Sequence, residues 1–113
     1  MIELRQGDFG AFFDAPFVAY GADSAYVSPL RSDLARFVDT DRNPLFSQGD
    51  SALTYWTAHR DGRVVGRITA HEHALGNATH GLTRGYFGYF DCADDPQAAT
   101  ALLDAAEGWC RAR

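Results

Sequence analysis

Cysteine, positive charge and long apolar runs are what this chain is short of. Its two cysteines, Cys92 and Cys110, are too few for a disulfide framework, and too few and too far apart for a zinc knuckle. A reduced, cytoplasmic setting is the expectation that follows. Ten basic residues stand against fifteen acidic ones, for a formal charge of −5. Nothing in bulk neutralises phosphates, which argues against nucleic acid or an anionic membrane as partner. No apolar run approaches the roughly 20 residues that a membrane helix needs. No charged segment followed by an apolar one opens the chain, so no secretory signal is expected. Internal repeats, low-complexity segments and linkers are also missing.

What is there is a globular composition, 46% hydrophobic and 13% aromatic over 113 residues. That length supports one small domain, residues 1–113, with a core of its own. Ile2 to Arg5 alternates apolar and polar residues and reads as a first strand. Asp8 can cap a helix whose face carries Phe9, Phe12, Phe13, Phe17 and Tyr20, with Pro16 expected to kink or end it near Ala15. A second helix is expected with Ser28 as N-cap, Pro29 as its first residue, and Leu30, Leu34, Phe37 and Val38 as its apolar stripe. Asp39 to Pro44 is a turn cluster, after which Leu45 and Phe46 are placed to plug the core.

The clearest local signal is a hairpin. Leu53 to His59 and Val64 to Ala70 flank Asp61-Gly62, a type I′ turn pair. A tight turn sets Arg60 against Arg63, Trp56 against Arg67 and Tyr55 against Ile68, which predicts a Trp56–Arg67 cation–π pair. His71 to Thr83 reads as a polar connector. Residues 84–90 form an aromatic strand, expected to be covered on both faces. Asp94 or Asp95 then caps a last helix with Pro96 at its first position and Ala99, Leu102, Leu103, Ala106, Trp109 and Cys110 on one face.

Ligands of such sheets gather where a strand ends and a helix begins, here near Phe90 to Gln97. His71, Glu72, His73 and His80 contain metal-ligating types, but no spacing fixes a third ligand, so they read as connector residues and no metal is expected. Cys92 lies beside Asp91, Asp94 and Asp95, which oppose a thiolate, so it reads as structural. The three aspartates read first as capping and solvated residues, and Tyr86 and Tyr89 as packing. Gly85 and Gly88 suggest a bulge or close backbone approach.

The order of elements, β-α-α-β-β-β-α, resembles the first half of the GNAT-type N-acetyltransferase fold. Tyr26-Val27-Ser28-Pro29-Leu30, Asn43-Pro44-Leu45-Phe46, Arg60-Asp61-Gly62-Arg63-Val64-Val65-Gly66-Arg67-Ile68 and Gly85-Tyr86-Phe87-Gly88-Tyr89-Phe90 are similar to strings in a group of uncharacterised bacterial GNAT-like proteins. Asp94-Asp95-Pro96 followed by Ala105-Ala106-Glu107-Gly108-Trp109 extends the likeness over most of the chain. The resemblance implies an α/β fold (α+β by some schemes), a mixed, largely antiparallel sheet flanked by helices. It implies transfer of an acetyl or acyl group from a CoA thioester to an amine, with a small-molecule donor and an amine acceptor as partners. Phe87, Gly88, Tyr89, Phe90, Asp91, Cys92 and Ala93 would lie along the pantetheine of acetyl-CoA or another acyl-CoA, and Asp95, Gln97 and Ala98 nearest its pyrophosphate. Glu72 and His73 are the candidates for a catalytic base.

The family's phosphate loop carries glycines and a cation; here Asp91, Asp94 and Asp95 stand in that stretch and Pro96 removes an N–H donor. That departure supports an alternative, a GNAT-derived scaffold or dimerisation module without CoA binding. A complete family domain continues with another strand, a helix and a hairpin. The free edge of residues 84–90 is therefore expected to pair with a second copy or with a C-terminal half.

Overall fold

The hairpin signal and the two aspartate caps set the frame. The computed structural model describes residues 1–21, 23–46 and 51–113. The elements are β1 (Ile2–Gln6), α1 (Phe9–Tyr20), α2 (Arg31–Val38), β2 (Ala52–Arg60), β3 (Arg63–Glu72), α3 (Ala74–His80), β4 (Tyr86–Cys92) and α4 (Pro96–Arg111). The four strands form one sheet in the order β1-β2-β3-β4, each pair antiparallel. Helix α4 packs on one face of the sheet, and α1 and α2 lie on the other. The arrangement is the expected α+β one with one helix more. Among the described residues no helix is long and apolar enough to cross a membrane.

Asp61 and Gly62 take φ values of 52° and 81°, the left-handed pair that a type I′ turn requires. Arg60 opposes Arg63 as expected. Two residues later the register slips, because β3 carries an extra residue opposite the Ala58/His59 step. Trp56 therefore faces Ile68, Thr57 faces Arg67, and Tyr55 faces Thr69. The slip turns Trp56 into the α4-side core with Ala58, Ile68, Ala70, Ala98, Leu102 and Ala106. It turns Arg67 to the opposite face, so the predicted Trp56–Arg67 pair does not form.

Arg67 is instead 2% exposed and sits under α1. Its guanidinium lies 4.8 Å from the Phe12 ring centre and 5.4 Å from that of Tyr89. It also explains how α1 runs through Pro16, where a kink or stop was expected. Proline has no N–H to give the carbonyl four residues back, which leaves the Phe12 oxygen open. Arg67 Nη1 donates to that oxygen at 2.9 Å. The helix then ends on Gly21, whose N–H donates to Phe17 O.

Three further expectations are corrected. α2 begins at Arg31 with Leu30 as its N-cap, and Ser28 bonds to Pro29 O rather than capping, so Leu30 is 70% exposed. Leu34 and Phe46 enter the core, but Leu45 stays outside. The connector from His71 contains the end of β3 and the whole of α3, a helix whose polar sequence gives no amphipathic signal.

At the sheet's outer edge, β4 is not covered on both faces. Tyr86, Phe87, Tyr89 and Phe90 remain 38–59% exposed. No strand pairs with the outer edge of β4 among the described residues. Asp95 caps α4 by accepting from Ala98 N at 3.2 Å, and Pro96 occupies the first turn, both as expected.

Candidate functional site

The candidate site is built on the edge strand where it breaks into α4. Between Arg67/Thr69 on β3 and Asp91/Gly88 on β4, the edge strand carries one residue more than its partner. This is a bulge, and it leaves backbone groups outside the regular ladder. Within it Tyr89 has φ 47°. A bulky residue in the left-handed region costs of order 1–3 kcal/mol and persists only where its surroundings hold it. Here the hold is visible. The Tyr89 ring lies 5.4 Å from Phe37 and 6.2 Å from Phe12, with the Arg67 guanidinium over it.

Arg67 also fixes the end of the bulge. Its Nε donates to Asp91 Oδ2 at 2.9 Å, and its Nη2 to the Tyr26 hydroxyl at 3.2 Å. Tyr20 OH donates to the other Asp91 oxygen at 2.7 Å. Burial and that carboxylate push the Tyr20 phenol up to about 12. One carboxylate thus ties β4 to β3 and to α1.

The acidic loop reads differently once folded. Asp95 receives Arg60 Nε at 2.7 Å and Nη2 at 3.0 Å, while the same Nη2 reaches Gln97 Oε1 at 2.7 Å. The guanidinium holds the Asp95 carboxyl down at about 2. Two of the three aspartates therefore have a cation against them, supplied by β2 and β3 rather than by the loop. Asp94 is exposed. Sequence reading weighed the loop's own charges and missed Arg60 and Arg67. The hairpin placed Arg60 beside the tip, but nothing in the spacing pointed it at residue 95.

The residues expected to lie along a donor do come together. Phe87 is the most exposed aromatic of β4, Gly88 and Phe90 flank Tyr89, and Asp91, Cys92 and Ala93 run from the bulge to the loop. Ala93 N donates to Val65 O at 2.8 Å, so it belongs to the sheet. Asp95 and Gln97 form the first turn of α4 with Arg60. Ala98 is fully buried, and its amide is already taken by Asp95. Burial raises the Cys92 thiol, aided by Asp95, which suits the structural role expected of it. Gly85 meets α4 closely, since a Cβ there would lie 2.5 Å from Cys110 Sγ.

The two base candidates do not meet. Glu72 accepts from Arg113 Nε at 3.0 Å on the α4 side. His73 lies with His71 along a cleft on the α2 side. Among the described residues no group of three or more His, Cys, Asp or Glu side chains is arranged to hold a metal ion. Clefts border β4 on both faces. One of about 360 Å³ lies between β4 and α4, lined by Phe87, Leu103, Glu107 and Cys110 among others. Another, about 300 Å³, lies between β4 and α2.

No protein-family model matches the sequence, and no solved structure matches it. Two bacterial proteins are similar to it. Protein YghO of Escherichia coli (strain K12) is 33% identical over 112 residues, 97% of this chain and 27% of that protein. The bacterial ceramide synthase of Caulobacter vibrioides (strain NA1000 / CB15N) is 33% identical over 103 residues, 90% of this chain and 26% of that protein. The chain thus spans about a quarter of the length of the curated relatives it matches.

Proposed function

We propose that this domain is the donor-binding part of a GNAT-like acyltransferase that moves an acyl group from a CoA thioester to an amine. The observation that carries the reading is the strained bulge at Tyr89, on an exposed edge strand that runs directly into the N-terminus of α4. Such a bulge aims backbone groups away from the ladder, where they can bond an extended ligand. The ceramide synthase relative supports the same class of chemistry, because making a ceramide joins an acyl group to an amine nitrogen.

The thioester enters as donor substrate. The pantetheine would run along Phe87, Gly88, Tyr89, Phe90, Asp91, Cys92 and Ala93. The diphosphate would face Asp95, Gln97 and Ala98, where Pro96 has no amide to offer and the Ala98 amide is engaged. Arg60, one third exposed, is the cation within reach, so the diphosphate must compete with Asp95 for it. In the reaction the amine nitrogen attacks the thioester carbonyl, backbone donors stabilise the oxyanion, and the C–S bond breaks to release a thiolate. The proton lost by nitrogen goes to a base or to water.

The grip of Asp95 on both Arg60 and the helix amide favours a second reading, a scaffold of the same fold without CoA binding. Thermal unfolding with acetyl-CoA and octanoyl-CoA separates the two. A donor at 100 times its Kd adds about 2.7 kcal/mol of stability. The donor reading expects such a shift, reduced in Arg60→Gln. An unchanged midpoint at millimolar concentrations of both thioesters would leave the scaffold reading.

A further inference from the structure

The cleft between β4 and α4 begins at Phe87, the residue at which the strip proposed for the donor ends. Phe87 pairs with Ala70, on the sheet face that carries α4. It lines the cleft and is 59% exposed. Leu103 lines the helix side and is 38% exposed, with the buried Ala106 one turn further along. Both walls therefore offer apolar surface that a ligand can reach. At the other end Gly85 and Cys110 bring strand and helix into contact, since a Cβ on Gly85 would lie 2.5 Å from Cys110 Sγ. From Leu103 to Cys110 the helix advances about 10 Å. The space is about 360 Å³, and at roughly the 30 Å³ of one water-sized group it holds on the order of ten chain atoms.

The chemistry of the cleft suits a chain and not a head group. Phe87, Leu103 and Ala106 present carbon, and burial raises the Cys110 thiol, which keeps it neutral. Glu107 is the one charged residue on its walls among the described residues, and it accepts from Arg111 Nη2. No lysine, arginine or histidine lines it among the described residues, so a carboxylate or phosphate would find no counter-charge there. A chain bound in the cleft must be anchored by a head held elsewhere. The donor strip supplies such an anchor. It runs from Phe87 through the bulge to the start of α4, and with the diphosphate at the α4 end the thioester falls at the Phe87 end.

We propose that the cleft between β4 and α4 takes the aliphatic chain of the acyl thioester, so that the domain prefers a donor of about eight to ten carbons over acetyl-CoA. The inference rests on the donor reading and adds to it the class of acyl group.

The test is titration of the chain with acetyl-, butanoyl- and octanoyl-CoA, with the rate of iodoacetamide alkylation at Cys110 followed by mass spectrometry at saturation. A fully buried methylene is worth about fourfold in affinity, and one in an open cleft about twofold. Octanoyl-CoA, longer by about six methylenes, should bind at least about thirtyfold tighter than acetyl-CoA. It should slow alkylation of Cys110, and acetyl-CoA should not. Leu103→Glu, at an exposed wall position, should shrink the affinity ratio to below about fivefold. Equal affinity for the three thioesters would overturn the inference and leave the donor reading standing, whereas no binding of any at millimolar concentration would refute both. Tight octanoyl-CoA binding that neither slows Cys110 nor responds to Leu103→Glu would put the chain elsewhere and overturn it too. So would a dimer in sedimentation that protects Cys110 and is not dispersed by octanoyl-CoA, because a second copy would then fill the cleft. Should Leu103→Glu unfold, the affinity ratio and the Cys110 rate on the unmodified chain decide alone.

Discussion

Asp91→Asn tests the structural premise on which the bulge depends. The change keeps size and one acceptor oxygen but removes the charge facing Arg67. Arg67 is 2% exposed at its side chain and Asp91 16%, with the ion pair at 2.9 Å. Removing one partner of a buried pair typically costs 3–5 kcal/mol, because the remaining charge is left uncompensated. The residual exposure of Asp91 lets water help, so a loss of about 3 kcal/mol is expected. With a urea slope near ~1.5 kcal/mol/M, the midpoint should fall by about 2 M. Arg67→Met should lose a similar amount, since it also strips the Phe12 carbonyl that Pro16 leaves open. The double variant Arg67→Met/Asp91→Leu should lose less than the sum of the two single losses, because no uncompensated charge is left, while the Phe12 carbonyl and the Tyr20 hydroxyl stay without these partners. If Asp91→Asn changes the urea midpoint by less than ~0.3 M, Arg67 is not held by this carboxylate, and the account of how Tyr89 is kept strained is wrong.

Two more outcomes follow from the same contacts. A Cβ at Gly66 would lie 2.8 Å from Leu102 Cδ1 and 3.2 Å from the Asp91 carbonyl oxygen, so Gly66→Ala should destabilise by about 1–3 kcal/mol in a urea melt, as overpacked sites do. The folded Asp95 carboxyl is depressed to about 2, so its contribution is present above the unfolded carboxylate value near ~4 and lost as pH falls through 2. Asp95→Asn, which keeps the cap, should lower stability at neutral pH, where Asp95 is charged against Arg60, flatten the acid limb of stability against pH between those values, and leave stability near pH 2 little changed.

Local chemistry was legible and long-range pairing was not. Asp61-Gly62 announced its turn, Asp8 and Asp95 their caps, and the period of α4 placed Leu102 and Ala106 on its buried face but also Leu103, which is exposed, because each signal lies within a few neighbouring residues. The extra residue in β3 carried no signal, and one residue of slip moved Arg67 from a surface pair with Trp56 to a buried position under α1. A run of aromatics says that a strand is sticky, not that anything covers it, which is why β4 was expected to be enclosed. The loop acids were read without their partners because Arg60 and Arg67 lie 35 and 24 residues away. The cleft at His71 was hidden for the same reason, its walls coming from α2, the turn after it, β3 and β4.

The most direct test of the central claim is an amide chemical-shift map of the labelled chain with and without acetyl-CoA. The donor-binding account predicts perturbations concentrated at residues 87–93 and at Arg60, Asp95 and Gln97, with Arg60→Gln removing the second group. A map with no change along β4, or with changes confined to residues away from the bulge and the start of α4, would contradict it.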